Sequence, residues 1–156
     1  MHYRKATPAD APLLADLRKR QLVDEGITPD TDINEALLSF ITRTLEDKSM
    51  VEGIVFEADR PVATAAIVFY AFPPTYTNPT GWKGYITNMY TAPQFRGQGL
   101  ATSLLARLVA EAQARGVRKL WLGASKLGKP VYLKYGFQGT NEWMEMTIPG
   151  ISSNPT

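Results

Sequence analysis

A chain of 156 residues with a net charge of +2 has room for one ordinary domain with a real core, and so balanced a charge gives no ground for a nucleic-acid partner. The 44% hydrophobic and 21% charged content is globular rather than disordered. There is no cysteine, and the one histidine is His2. That excludes disulfides, thiolate metal sites and a cysteine nucleophile, and leaves a Ser-His-Asp triad only a histidine at the fraying chain end. No metal site is expected. Apolar runs fall short of the roughly 18–20 residues of a membrane span, and Met1 to Asp10 lacks the apolar segment of a signal peptide, so a cytoplasmic chain without membrane contact is expected.

In chain order, His2 to Ala6 reads as a first strand, and Thr7-Pro8 as an N-cap with proline opening a helix to about Asp24. Leu13, Leu14, Leu17, Leu22 and Val23 are the expected inner face of that helix. Ile33 to Leu45 is a second helix. Val51 to Ala58 and Pro61 to Ala71 are strands joined by a tight turn at Asp59-Arg60. A proline-rich aromatic loop, Phe72 to Trp82, leads to a fourth strand, Gly84 to Thr91. Gly99 to Arg115 is the clearest helix, with Leu100, Leu104, Leu105, Leu108 and Ala112 on one face and Gly116 at its end. Val117 to Gly123 is a strand, and Leu127 to Tyr135 a short helix stopped by Gly136. Phe137 and Trp143 to Ile148 supply the last strands, and Pro149 to Thr156 reads as a disordered tail. Residues 1–148 thus form a single α/β (α+β) domain.

Chemistry concentrates between Met89 and Thr102. A strand ends in Met89-Tyr90-Thr91. A basic turn with two glycines follows, Arg96-Gly97-Gln98-Gly99, and then a strong helix opens with Leu100-Ala101-Thr102. The glycines permit a tight turn, and the helix start offers free N–H groups and partial positive charge, which together suit a phosphate or pyrophosphate. An ordinary strand-to-helix turn has the same outline. It is neither a P-loop nor a dinucleotide fingerprint, because no Gly-Lys-Ser/Thr follows and Thr102 stands where a third glycine would be. No Asp or Glu occurs from Arg60 to Ala110, while Arg60, Lys83, Arg96 and Arg107 do, and this bias strengthens the anion reading.

Arg96-Gly97-Gln98-Gly99-Leu100-Ala101 resembles the Gln/Arg-x-x-Gly-x-Gly/Ala signature of the GNAT superfamily of acetyl-coenzyme-A-dependent N-acetyltransferases. Tyr132-Leu133-Lys134-Tyr135-Gly136-Phe137 resembles the later Tyr-x-Lys-x-Gly-Phe signature of the same family, in order and at the right interval. The resemblance implies a mixed sheet of about six to seven strands, splayed between the fourth and fifth and flanked by about four helices. It implies that amides from Gly97 to Thr102, with Arg96, hold the pyrophosphate of coenzyme A, and that Met89, Tyr90 and Thr91 pair through their backbone with the pantetheine arm. Ser125 stands where many relatives have a cofactor-contacting asparagine, and Gly128 where many have alanine. Tyr132 would be the general acid that protonates the leaving thiolate. A packed aromatic on an amphipathic helix is the plainer reading of the same residue.

The implied activity is transfer of an acetyl group to a primary amine, on a small molecule or a peptide. A non-catalytic acyl-coenzyme-A sensor or interaction module on the same fold is the alternative. No carboxylate occurs from Trp82 to Asn88, where some relatives carry a base. Asp24, Glu25, Asp30, Asp32 and Glu35 would attract a cationic amine, or are a solvated loop with helix-capping acids. Glu25, Glu142 and Asn88 are candidate acceptor-site residues. Tyr70, Tyr76 and Trp82 either wall that site or pack their loop onto the core. Homodimers are common in the family, and the sequence shows no patch arguing for one.

Overall fold

Val, Ile, Phe and Ala dominate 50–57 and 60–71, and a strand so apolar is stable only with both faces covered. The sheet is built around this pair. In the computed structural model, which describes residues 1–150, its strands are β1 (His2–Lys5), β2 (Met50–Glu57), β3 (Arg60–Ala71), β4 (Trp82–Thr91) and β5 (Lys119–Trp121), adjacent in sequence order. The first three pairings are antiparallel and β4 to β5 is parallel. Helices α1 (Ala11–Asp24) and α2 (Asn34–Glu46) cover one face; α3 (Leu100–Ala114) covers the other, and α4 (Lys129–Tyr135) follows β5. Among the described residues, no helix is long and apolar enough to cross a membrane.

The face under α3 is closed by Leu104, Leu105, Leu108 and Ala112 against Ala63, Ala65, Ile67 and Phe69 of β3. Small alanines on the strand let the leucines of α3 approach closely. Leu105 is 0% exposed, so Leu105→Ala is expected to cost about 2–5 kcal/mol of unfolding free energy, read as a lower midpoint in urea denaturation. The opposite face holds Leu14, Leu17 and Ile41 against Met50, Ile54 and Ala66.

The helix expected from Pro8 begins as a single tight turn, Pro8–Asp10, before α1. Asp10 anchors it: its carboxylate accepts from Arg4 Nη1 and Nη2 at 2.8 and 2.7 Å and from the Thr7 amide at 2.8 Å. The Arg4 guanidinium holds the Asp10 carboxyl below its usual range. The inner face of α1 also differs from expectation. Ala11, Leu14, Ala15, Leu17 and Gln21 are buried, while Leu22 is only half-buried and Val23 is exposed. The helical repeat from Leu14 and Leu17 arrives at Gln21, one residue before the apolar pair. The β2–β3 turn is Ala58-Asp59 rather than Asp59-Arg60, because Glu57 pairs with Arg60, and Ala58 takes φ 52°.

Among the described residues, five strands replace the six to seven or so expected. Neither Phe137 nor Trp143 to Ile148 is in a strand. β5 is only three residues long and the chain beyond it is irregular, so it offers no extended edge for a further strand. Trp143 instead stacks on Trp121 with ring centroids 4.1 Å apart, and its Nε1 donates to Glu145 Oε1 at 3.0 Å. Met144 and Met146 stay exposed. The expected tail lies, from residue 151 onward, outside the described residues.

The expected splay is present. β4 and β5 pair only at Lys83–Lys119, Gly84–Leu120 and Tyr85–Trp121. From Ile86 to Thr91, β4 stays paired with β3, with one irregularity, but among the described residues has no strand on its other side.

Candidate active site

The strand divergence opens a cleft of about 1010 Å³. Its floor is β4 from Tyr85 to Thr91, one wall is the C-terminal part of α1, and the other is formed by the start of α3 and residues 123–134.

At one end the turn Pro93–Phe95 swings the chain from β4 into α3, anchored by the buried Phe95 ring. Gly97 and Gly99 follow with φ of 77° and 82°, a left-handed conformation that turns successive amides to one side. The first bond of α3 runs from Ser103 N to Gly99 O at 3.0 Å. Among the described residues, the N–H groups of Gly97 through Thr102 find no protein acceptor. A Cβ at either glycine would meet nothing within 4 Å, and both glycines line the cleft with Leu100, Ala101 and Thr102, so the turn is open to a ligand. Arg96 is held beside them: Nε donates to Thr91 O and Nη2 to Asp24 Oδ2, both at 3.0 Å. That ion pair joins the end of α1 to the glycine turn.

At the other end lies Tyr132, buried on α4 and edge-on to Phe137 at 6.0 Å. Burial, then the nearby charge of Glu25 and Tyr85, pushes its phenol up to about 12. The ring has room because residue 128 is glycine: a Cβ there would stand 2.9 Å from Tyr132 Cε2. Ser125 Oγ accepts from Gly128 N at 3.1 Å, and so tightens the start of α4.

Of the expected cofactor residues, Met89, Tyr90, Thr91, Arg96, Gly97, Gly99, Leu100, Ala101, Thr102, Ser125 and Tyr132 line this one cleft. Gln98 does not; it sits exposed at the tip of the turn. Of the acceptor candidates, Glu25 lines the cleft, and its Oε1 accepts from Gln21 Nε2 at 3.0 Å. Tyr70, Tyr76, Trp82, Asn88 and Glu142 do not line it. Tyr76 is 106% exposed, because the loop from Phe72 closes on itself through Thr75 and Asn78 rather than folding over the sheet. Trp82 is also exposed, and Glu142 lies on the irregular chain after α4. Tyr70 packs edge-on against Phe72 and Trp121. Asn88 is buried under the sheet, bonded to Glu52.

Several lining residues were not singled out from sequence. Arg18 and Gln21 line the wall and are linked, Arg18 Nη1 donating to Gln21 Oε1 at 3.1 Å. Tyr85 lines the floor against Trp121. The one available signal was polar residues recurring every three to four positions along α1 and at its C-cap, at 18, 21 and 25.

Residues 14–137 match the sequence model of the acetyltransferase (GNAT) family. The chain is 33% identical over 120 residues to the aminoglycoside N(6')-acetyltransferase type 1 of Stenotrophomonas maltophilia, covering 75% of this chain and 71% of that protein. It is similar to a predicted acetyltransferase of Clostridium acetobutylicum crystallised with acetyl-CoA, at 55% identity and TM-score 0.92, covering 94% of this chain and 95% of that one. A GCN5-related N-acetyltransferase from Ralstonia eutropha superposes with TM-score 0.85 at 26% identity, over 96% of this chain and 99% of that one.

Proposed function

The chain belongs to the GNAT family of acetyltransferases, and from that premise we propose that it moves an acetyl group from acetyl-CoA to a primary amine, with Tyr132 as the general acid. The carrying observation is that one cleft holds the acceptor-free amides of Gly97 to Thr102, an unpaired stretch of β4 and the Tyr132 phenol. The open space before Gly97 and Gly99 and the adjacent Arg96 fit a pyrophosphate. The edge of β4 at Met89 and Tyr90, which has no β5 partner, fits an extended amide-bearing arm, added as a peptide is added to a sheet edge, beside the Thr91 carbonyl that Arg96 holds. The Clostridium acetobutylicum relative, crystallised with acetyl-CoA, supports the same carrier.

Acetyl-CoA supplies an acetyl group already activated as a thioester, so the chain needs no nucleophilic side chain of its own. Its residues bind, orient and move protons. Tyr132 keeps its hydroxyl proton far above neutral pH and holds it ready for the departing sulfur. Glu25, on the opposite wall, is the carboxylate that attracts the ammonium form of the acceptor and takes up its proton, directly or through water. The aminoglycoside activity named for the Stenotrophomonas maltophilia relative supports a small cationic amine as acceptor.

The test is acetyl-CoA with a panel of polyamines, amino acids, aminoglycosides and peptides, followed by thiol release. Turnover with at least one amine is expected. Tight coenzyme A binding without turnover on any acceptor would instead favour a sensor, and absence of coenzyme A binding would overturn the assignment. Glu25→Gln is expected to raise the KM of the best amine about fivefold and leave coenzyme A affinity unchanged, since an exposed carboxylate contributes modestly. Equal KM values in variant and parent would remove Glu25 from the acceptor site.

A further inference from the structure

A carboxyl group that does not line the cleft is buried on the α1 side of the sheet. Glu52 is 1% exposed on β2, surrounded by the apolar residues that pack under α1 and α2. Its Oε1 lies 2.8 Å from Thr64 Oγ1 on β3, and its Oε2 accepts from Asn88 Nδ2 on β4 at 3.4 Å. One side chain thus ties together the three central strands. Thr64 Oγ1 also lies 2.9 Å from Gly53 O. The Thr64 hydroxyl has a single proton and faces two acceptors if Glu52 is ionised. A neutral Glu52 satisfies every atom: its O–H donates to Thr64 Oγ1, Thr64 donates to Gly53 O, and Asn88 donates to the remaining Glu52 oxygen. Burial acts in the same direction, pushing the Glu52 carboxyl up to about 7. The charged groups acting on it are Arg18 of α1 and Asp10 of the turn before α1. Arg18 is engaged by Gln21, and Asp10 by Arg4.

Asn88 is where β4 departs from regular pairing. Ala63 and Thr64 pair with Thr91 and Tyr90, but Ala66 pairs with Thr87, so β4 carries one extra residue opposite Ala65. Asn88 takes φ 54°, a left-handed conformation that asparagine tolerates better than most residues. A bulge of this kind re-aims the strand beyond it. The strand beyond it is Met89 to Thr91, the free edge of the cleft.

We propose that Glu52 is a positioning residue: as a neutral carboxyl it holds the Asn88 side chain, fixes the β4 bulge, and so sets the edge Met89–Thr91 against which the arm of coenzyme A lies. The last clause rests on the coenzyme A reading above. Ionising Glu52 would leave a charge buried without a cationic partner in contact and two acceptors competing for the Thr64 proton. The bulge then loosens. The sign follows from the raised carboxyl. Its contribution to stability is complete below the ordinary carboxylate value of 4.5 and is lost as pH rises towards about 7. Glutamine reproduces the neutral arrangement, its NH2 donating to Thr64 and its carbonyl accepting from Asn88, and does not titrate.

The test uses melting temperature and calorimetric coenzyme A affinity from pH 5.5 to 8.5, in the parent chain, Glu52→Gln and Asn88→Gly. Coenzyme A affinity of the parent is expected to weaken about threefold to tenfold relative to Glu52→Gln as pH rises through this range, and the melting advantage of Glu52→Gln over the parent to grow by several degrees from pH 5.5 to pH 8.5. Asn88→Gly keeps the left-handed backbone and deletes the carboxamide; it is expected to weaken coenzyme A binding several-fold at pH 6. Parallel pH profiles for parent and Glu52→Gln would overturn the proposal, as would parental affinity in Asn88→Gly. The melting comparison needs no ligand. A parent that fails to bind coenzyme A while the melting advantage of Glu52→Gln still grows towards pH 8.5 sinks the coenzyme A reading and leaves the buried carboxyl assignment standing.

Discussion

Gly99→Val is expected to lower coenzyme A affinity by at least 10²-fold, about 2.7 kcal/mol or more, while the domain stays folded. Gly99 has φ 82° immediately before the first residue of α3. A β-branched residue there meets two penalties. The left-handed backbone costs about 1–2 kcal/mol for any L side chain. The larger effect is expected at the site: the added carbons stand in open space at the turn that carries the free amides of Leu100, Ala101 and Thr102, where they would crowd an approaching phosphate. Because no protein atom lies within 4 Å of that Cβ, the core is not disturbed. Titration calorimetry with coenzyme A reads the loss, and a thermal melt reads the fold. Parental affinity in the Gly99→Val protein would show that the anion lies elsewhere. Gly97→Val would be a weaker probe, being two residues further from the helix.

Tyr132→Phe is expected to lower kcat about 10²-fold and leave coenzyme A affinity nearly unchanged, the lower end of the range for losing a general acid. The substitution removes one oxygen. The ring keeps its edge contact with Phe137 and its place beside Gly128. A fall in kcat therefore reads the proton and not the packing. Since burial pushes the phenol up to about 12, Tyr132 stays protonated below about pH 10. Any alkaline decline in kcat between pH 8 and 10 must come from another group. An unchanged kcat in the Tyr132→Phe protein would leave Tyr132 as a packed aromatic with no part in the chemistry.

Both predictions stand on segments that sequence could read, because each is local. The glycine turn and α3 are contiguous, and the spacing of Leu104, Leu105, Leu108 and Ala112 is set by the helix repeat alone. The same holds for Tyr132 through Phe137. What sequence could not read depends on contacts between distant segments. Leu22 and Val23 are as apolar as Leu14 and Leu17, so composition could not say that the inner face of α1 ends at Gln21. Trp143 to Ile148 reads as a last strand, but a strand needs a partner edge, and β5 stops at Trp121. The loop from Phe72 to Trp82 had the aromatics of a binding wall, and its geometry is fixed instead by the closure through Asn78, whose Nδ2 donates to Trp82 O at 3.0 Å. Glu52 was legible only as an acid set among apolar residues and a glycine between Met50 and Phe56. Its partners lie 12 and 36 residues away.

The divergence of β4 from β5 has a second consequence, in how the protein behaves in a crowded solution. A row of unpaired backbone groups is a template for any extended chain, including another copy of the same protein. β4 has such a row from Ile86 to Thr91 in the middle of its sheet, where most folds allow none. Three features work against such templating: the bulge at Asn88 breaks the regularity of the strand, α1 and α4 flank it, and Arg96 already occupies the carbonyl of Thr91. A ligand that fills the cleft would cap the remaining groups, so on the reading proposed above the acyl carrier would also act as a solubility partner for the chain that uses it.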